Sequence, residues 1–131
     1  MDKVRVLVKA IIIKNGKLLA LKRPKEAYSR PNAWDLPGGN LDFGEEANAA
    51  IERELNEETS LKIKNLRPFH VISKLDEKKE VFWIEICYLC DYDMGEVKLS
   101  SEHTEYKWVT KDEFLKLESA DYLMEFVRHI S

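Results

Sequence analysis

The sequence predicts one α/β domain over residues 1–131. Three observations point there. Short apolar, β-rich blocks pair into two hairpins, and apolar residues recur at helical spacing once in the middle of the chain and again at its end. The length of 131 residues also matches the ordinary size of a single domain. With 44% hydrophobic residues there is apolar surface enough for one core, which excludes a disordered chain.

Residues 4–13 and 18–22 read as the first hairpin, turned by Asn15-Gly16, the pair preferred where both central turn residues need positive φ. A polar loop with Pro24 and Pro31 follows, then a short strand over residues 33–36. Leu36-Pro37-Gly38-Gly39 reads as a tight glycine turn, where backbone without Cβ can approach a ligand or a neighbouring strand. Gly44-Glu45-Glu46 is expected to open a helix with acids in its first turn, and Ala47, Ala50, Ile51 and Leu55 form its apolar stripe. A second hairpin joins residues 66–75 to 81–92 through Asp76-Glu77-Lys78-Lys79. One more strand is expected at residues 106–109. Thr110 and Glu113 spell a capping box for a helix with Phe114, Leu115 and Leu117. The final helix, with Ser119 as its expected cap, carries Leu123, Phe126, Val127 and Ile130.

Several function classes fall away. A net charge of -3 supplies no attraction for a phosphate backbone, so tight nucleic-acid binding is not expected. No apolar stretch approaches the roughly 20 residues that span a bilayer, and no signal peptide fits. Two cysteines make no disulfide framework, and the expected location is cytoplasmic. Cys87 and Cys90 spell C-x-x-C, but on a strand residues three apart face opposite ways, which argues against a redox pair or a zinc site. Gly39 and Gly44 have P-loop spacing, yet Glu45 and Glu46 follow where Lys and Ser or Thr are needed. No nucleophile elbow is present, and His103 and His129 read as solvent-facing or loop residues.

One helix carries an anomaly. Positions 47, 50, 51, 54, 55 and 58 form an unbroken i, i+3, i+4 series, so Glu54 and Glu58 fall inside the apolar stripe and Glu57 lies on its flank. Inward carboxylates cost several kcal/mol each unless compensated. Arg53 alone cannot match three acids. A hard cation with oxygen ligands can, and a metal-bridged phosphate site has this composition. A frayed helix end with a solvated acidic face is the alternative.

Gly39, Glu45, Arg53, Glu54, Leu55, Glu57, Glu58 and Leu61 stand at the spacing of the Nudix box, G-x5-E-x7-R-E-U-x-E-E-x-G-U, with U a bulky aliphatic residue, and agree with eight of its nine specified positions. The chain therefore resembles the Nudix hydrolase family. The order of flanking strands and C-terminal helix is similar too, which implies the family's fold, a mixed β-sheet sandwiched between helices. The resemblance implies hydrolysis of a nucleoside diphosphate linked to another moiety, with Mg²⁺ or Mn²⁺ as cofactor. Glu54, Glu57 and Glu58 are the implied metal ligands, Arg53 orients the acids, and Glu45 helps at the helix start. Glu102, with Glu105 as competitor, is similar in placement to an acid that many members add outside the box. Glu54 and Glu102 are both candidates for general base. Ser60 stands where the box has its last Gly, a departure that bears on helix termination rather than on metal ligation.

Substrate identity is less legible. Arg23, with Lys22, is a candidate phosphate contact beside Gly38 and Gly39. At most one or two of Tyr28, Phe69, His70 and Trp83 are expected to stack on a base. The leading expectation is a MutT-like nucleoside triphosphate pyrophosphohydrolase acting on a small nucleotide. An ADP-ribose or nucleotide-sugar pyrophosphatase, and a non-catalytic nucleotide-binding module of the same fold, are the alternatives. A homodimer is compatible with the chain.

Overall fold

The computed structural model describes residues 3–131. Strand β1 (Lys3–Lys14) turns into β2 (Lys17–Lys22), with Asn15 at φ 51° and Gly16 at φ 76°, the two positive values a type I′ turn requires. After the polar loop come β3 (Trp34–Asp35) and β4 (Gly38–Asn40), then helix α1 (Ala47–Thr59). The long hairpin is β5 (Lys62–Asp76) and β6 (Val81–Met94). Strand β7 (Glu105–Val109), helix α2 (Lys111–Leu115) and helix α3 (Asp121–Arg128) complete the chain. The sheet runs β3-β2-β1-β6-β5, with β7 on β2 and β4 on β1. It is mixed, because β1 and β6 are parallel over Lys3 to Ile13 while the other pairs are antiparallel.

Pleating sends alternate residues of β1 to two cores. Val8, Ala10 and Ile12 pack with Ala50, Ile51 and Leu55 of α1 on one face. Ile11 packs on the other with Phe114 of α2 and with Leu123, Phe126 and Val127 of α3. The sheet thus lies between helices, as expected. Cys87 and Cys90 are both buried and free, one in each core, as strand geometry requires.

Four local expectations are corrected. The glycine turn is instead the start of β4, held by the ladder Val8 to Gly39 and Lys9 to Gly38. Helix α1 begins at Ala47, so Glu45 and Glu46 precede it; Glu46 is the N-cap, accepting from Asn48 N at 2.8 Å and Ala49 N at 3.2 Å. Ala120, not Ser119, stands at the N-cap position of α3, which has no side-chain cap, and Ser119 Oγ is buried without a partner among the described residues. Ile130 lies beyond the end of α3 but still packs against the core. The Thr110–Glu113 capping box is present in full.

Ser60 ends α1 at φ 62°, ψ 13°, the left-handed conformation that penalises a Cβ. Ser60→Gly should therefore raise unfolding free energy by about 1 kcal/mol and leave turnover within twofold. A denaturant series read beside initial rates checks both, and a tenfold activity gain with no change in stability would mean the position acts in catalysis instead.

Candidate active site

The site lies where β4 crosses the inward side of α1. Gly38 has φ +142°, and a Cβ there would stand 2.0 Å from the Val8 carbonyl oxygen, so only glycine allows β4 to pair with β1. A Cβ on Gly39 would meet the Glu54 carboxylate at 2.9 Å. The two adjacent glycines thus serve different ends, one admitting a strand and the other a side chain. Gly38→Ala should cost about 3 kcal/mol of stability. Gly39→Ala should fold almost normally yet lose most activity, because the flexible Glu54 side chain is what must move. Thermal melts with rates on both variants separate the two, and equal stability losses would contradict the division.

Helix α1 presents its acids as the periodicity predicts. Glu58 is 2% exposed; its Oε2 accepts from Gly38 N at 3.2 Å, while Oε1 has no hydrogen-bond partner among the described residues. Burial, with a hydrogen bond to Glu54 and the Glu54 charge, pushes the Glu58 carboxyl up to about 9 against the pull of Lys9. Glu57 is exposed and held by Arg53, whose Nη1 lies 3.2 Å from its Oε2. The same guanidinium reaches Glu45 Oε2 at 2.9 Å and Glu54 Oε1 at 3.3 Å. Arg53 donates to Glu45 and so holds that carboxyl below its usual range, with Asp42 N adding a second donor. Arg53 thereby ties the loop before α1 to the helix's acidic side. No three acidic, histidine or cysteine side chains among the described residues converge as a ready-formed metal shell, and Glu57 is drawn to Arg53. The donors still suit a hard cation: Glu54 and Glu58 face each other, and one buried Glu58 oxygen lacks a partner.

Behind these acids stands a buried charge network that no local sequence pattern marks. Lys9 Nζ lies 2.9 Å from Asp35 Oδ1 and donates to the Leu36 carbonyl at 3.0 Å. Asp35 Oδ2 lies 3.2 Å from His103 Nε2 and 3.5 Å from Arg23 Nη1. His103 Nδ1 approaches Glu58 Oε1 at 3.6 Å. His103 lies in the loop before β7, as one half of the expectation had it, but is buried, which corrects the solvent-facing half; His129 is exposed as expected. Burial alone would raise the Asp35 carboxyl, but Lys9 and His103 hold it well below the carboxylate range. Burial would likewise lower Lys9, and Asp35 outweighs it so that the ammonium is raised.

These residues border a cleft of about 610 Å³ lined by Arg23, Gly38, Gly39, Arg53, Glu54 and Glu102 among others. Glu102 is exposed on the cleft's rim, while the competing Glu105 pairs instead with Lys22 at 3.4 Å. Of the four aromatic candidates, Tyr28 is fully exposed, Phe69 packs on a core, His70 stacks on His129, and Trp83 lines a neighbouring cavity. No helix among the described residues is long and apolar enough to cross a membrane.

Comparison with known proteins identifies the family. The NUDIX domain model matches residues 3–129. The 8-oxo-dGTP diphosphatase of Buchnera aphidicola is 32% identical over 107 residues, covering 82% of this chain and 78% of that one. The nucleoside triphosphatase NudI of Escherichia coli is 26% identical over 85% of both chains. The crystal structure of a MutT NUDIX hydrolase from Burkholderia pseudomallei superposes with a TM-score of 0.85 at 25% identity, covering 99% of this chain and all of that one. With its glycine strand, its inward carboxylates and a family match over almost its whole length, the chain belongs to the NUDIX domain family and is a MutT-like Nudix hydrolase.

Proposed function

We propose that the chain hydrolyses a nucleoside triphosphate to the monophosphate and pyrophosphate, with Mg²⁺ or Mn²⁺ held by Glu54, Glu57 and Glu58. Nudix hydrolases generally need divalent metal ions, and the oxygen donors on α1 suit them. The observation that carries the reading is the inward pair of Glu54 and Glu58, of which Glu54 lines a cleft that also holds Arg23 and Arg53. Relatives whose names specify 8-oxo-dGTP and nucleoside triphosphates support the substrate class.

When bound, the metal offsets phosphate charge and lowers the pKa of water. The chain's own residues do the rest. Arg23 binds phosphate oxygens at the rim, and the small Gly38 and Gly39 backbone lets the phosphate chain lie close. Arg53 keeps Glu45, Glu54 and Glu57 oriented. Water attacks phosphorus, one P–O bond breaks toward pyrophosphate, and the water's proton passes to Glu54 or Glu102, both of which border the cleft. A phosphate-release screen over nucleoside triphosphates, ADP-ribose, dinucleoside polyphosphates and nucleotide sugars, each with Mg²⁺ and with Mn²⁺, tests the reading. Triphosphates should lead. Turnover of ADP-ribose or nucleotide sugars alone would move the substrate class, and silence throughout would favour a binding module.

A further inference from the structure

A third buried acid, beside Asp35 and Glu58, shares the sheet face of Lys9 and does not line the cleft just described. Glu85 on β6 is 3% exposed, and its Oε1 has no hydrogen-bond partner among the described residues. Its ladder neighbours are apolar, Leu7 on β1 and Ile72 on β5. A buried carboxylate oxygen left this way forfeits a bond that water would have made, so a ligand that brings donors is the natural complement. Burial raises the Glu85 carboxyl, and Lys74 and Arg30 temper that effect without pairing with it.

Glu85 lines a cavity of about 310 Å³ together with Leu7, Arg30, Lys74, Trp83 and Tyr122. Leu7 and Tyr122 also line the catalytic cleft, so the two spaces adjoin. Trp83 stands two residues before Glu85 on the same strand and therefore on the same face. An aromatic wall, a buried acceptor and a phosphate-binding cleft next door together describe a place for a heteroaromatic base joined to phosphates.

We propose that Glu85 is the specificity-determining residue for the base, selecting nucleotides whose pairing edge presents two adjacent N–H donors, as guanine does. An ionised carboxylate only accepts. Guanine offers N1–H and its 2-amino group side by side, a bidentate match. Adenine and cytosine set a donor beside an acceptor, and thymine sets one donor between two acceptors, so each turns a lone pair toward the carboxylate. Trp83 supplies stacking that every base shares. The 8-oxo form of guanine keeps the same edge, so Glu85 admits both forms and does not separate them. This assignment rests on the nucleoside triphosphate reading for its role in turnover.

Calorimetric binding of dGMP, dIMP, dAMP and dCMP without metal, beside kcat/KM for the matching triphosphates and 8-oxo-dGTP with Mg²⁺, tests it. Expected is dGMP at least tenfold tighter than dAMP or dCMP, with dIMP, which lacks the 2-amino group, in between. Glu85→Gln should remove that order at unchanged or higher melting temperature and leave the ratio of 8-oxo-dGTP to dGTP as it was. Trp83→Ala should weaken all four monophosphates alike. Equal affinities in the wild type, or a Glu85→Gln loss that is the same for every base, would overturn the assignment. Should Glu85→Gln not fold, the wild-type ranking of dGMP over dIMP over dAMP decides alone. Guanine-ordered binding without triphosphate hydrolysis would sink the proposed reaction and keep the base site; unselective hydrolysis with unselective binding would do the reverse.

Discussion

Glu58→Gln should keep the fold and lose turnover by about 10²- to 10⁴-fold at saturating Mg²⁺, the equivalent of several kcal/mol of transition-state stabilisation. The substitution preserves shape, and a glutamine amide can still accept from Gly38 N through its oxygen. What it removes is a negative charge that is 2% exposed and has one unpartnered oxygen. Without metal, burial and the neighbouring Glu54 favour the protonated carboxyl at neutral pH, so the neutral amide takes the place of a group that carries little charge there. The melting temperature of the metal-free variant should therefore be unchanged or higher. A side chain that merely braced β4 would behave in the opposite way, with stability falling and the residual rate surviving. Glu57→Gln makes the control, because Glu57 is exposed and bound to Arg53: its stability should stay within about 0.5 kcal/mol while turnover falls. Mn²⁺ binding followed by paramagnetic resonance gives a reading independent of rate. Near-normal turnover of Glu58→Gln together with unaltered Mn²⁺ affinity would falsify the role proposed for α1.

How far the site was legible follows from how local its signals are. The Asn15-Gly16 turn, the Thr110–Glu113 box and the opposite facing of Cys87 and Cys90 depend on neighbours a few residues apart, and all three hold. The inward set of Glu54 and Glu58, with Glu57 on the flank, likewise follows from helical period alone. The Pro37-Gly38-Gly39 sequence points to a turn, whereas the strand conformation of β4 depends on a ladder to β1 some thirty residues away, which nothing local specifies. The start of α1 was misplaced by three residues because Glu46 serves as a cap, accepting from backbone amides, where the macrodipole argument alone would put it inside the first turn. His103 was missed for the same reason as β4: its polar surroundings in sequence look like a surface loop, and burial comes from Asp35 and Glu58, 68 and 45 residues earlier. A usable signal did exist. Lys9 interrupts an apolar strand between Val8 and Ala10, and Asp35 sits between Trp34 and Leu36; two opposite charges inside buried strands imply each other.

That pair carries the largest stability effect expected in this protein. Lys9→Met should lower unfolding free energy by about 3–5 kcal/mol, because Asp35 stays buried with its main counter-charge gone. For a domain of this size the loss corresponds to a melting temperature lower by roughly 10–20 °C. The pH dependence has a defined sign. The folded Asp35 carboxyl is held below its unfolded value of 3.8, so its contribution is present above about pH 4 and is lost as pH falls through the folded value. The folded Lys9 ammonium is held above 10.5, so its contribution is full below that and is lost as pH rises through the folded value. In the wild type the two contributions should thus be flat from about pH 4 to 10. In the variant, Asp35 keeps only Arg23 and His103 as side-chain partners, so protonation relieves it in mild acid and the gap between the two proteins narrows there first. Adding Asp35→Leu to Lys9→Met should recover much of the loss, since a buried ion pair replaced by apolar groups of similar volume is close to neutral. Recovery of stability need not bring recovery of turnover: without Asp35, His103 loses the partner on its Nε2 and is no longer held against Glu58. Urea unfolding of the wild type and the two variants across pH 4–9, with rates at each point, separates the two contributions. A Lys9→Met loss below 1 kcal/mol at neutral pH would mean that water or Arg23 takes over the lysine's place, and that Asp35 is not the buried anchor described here.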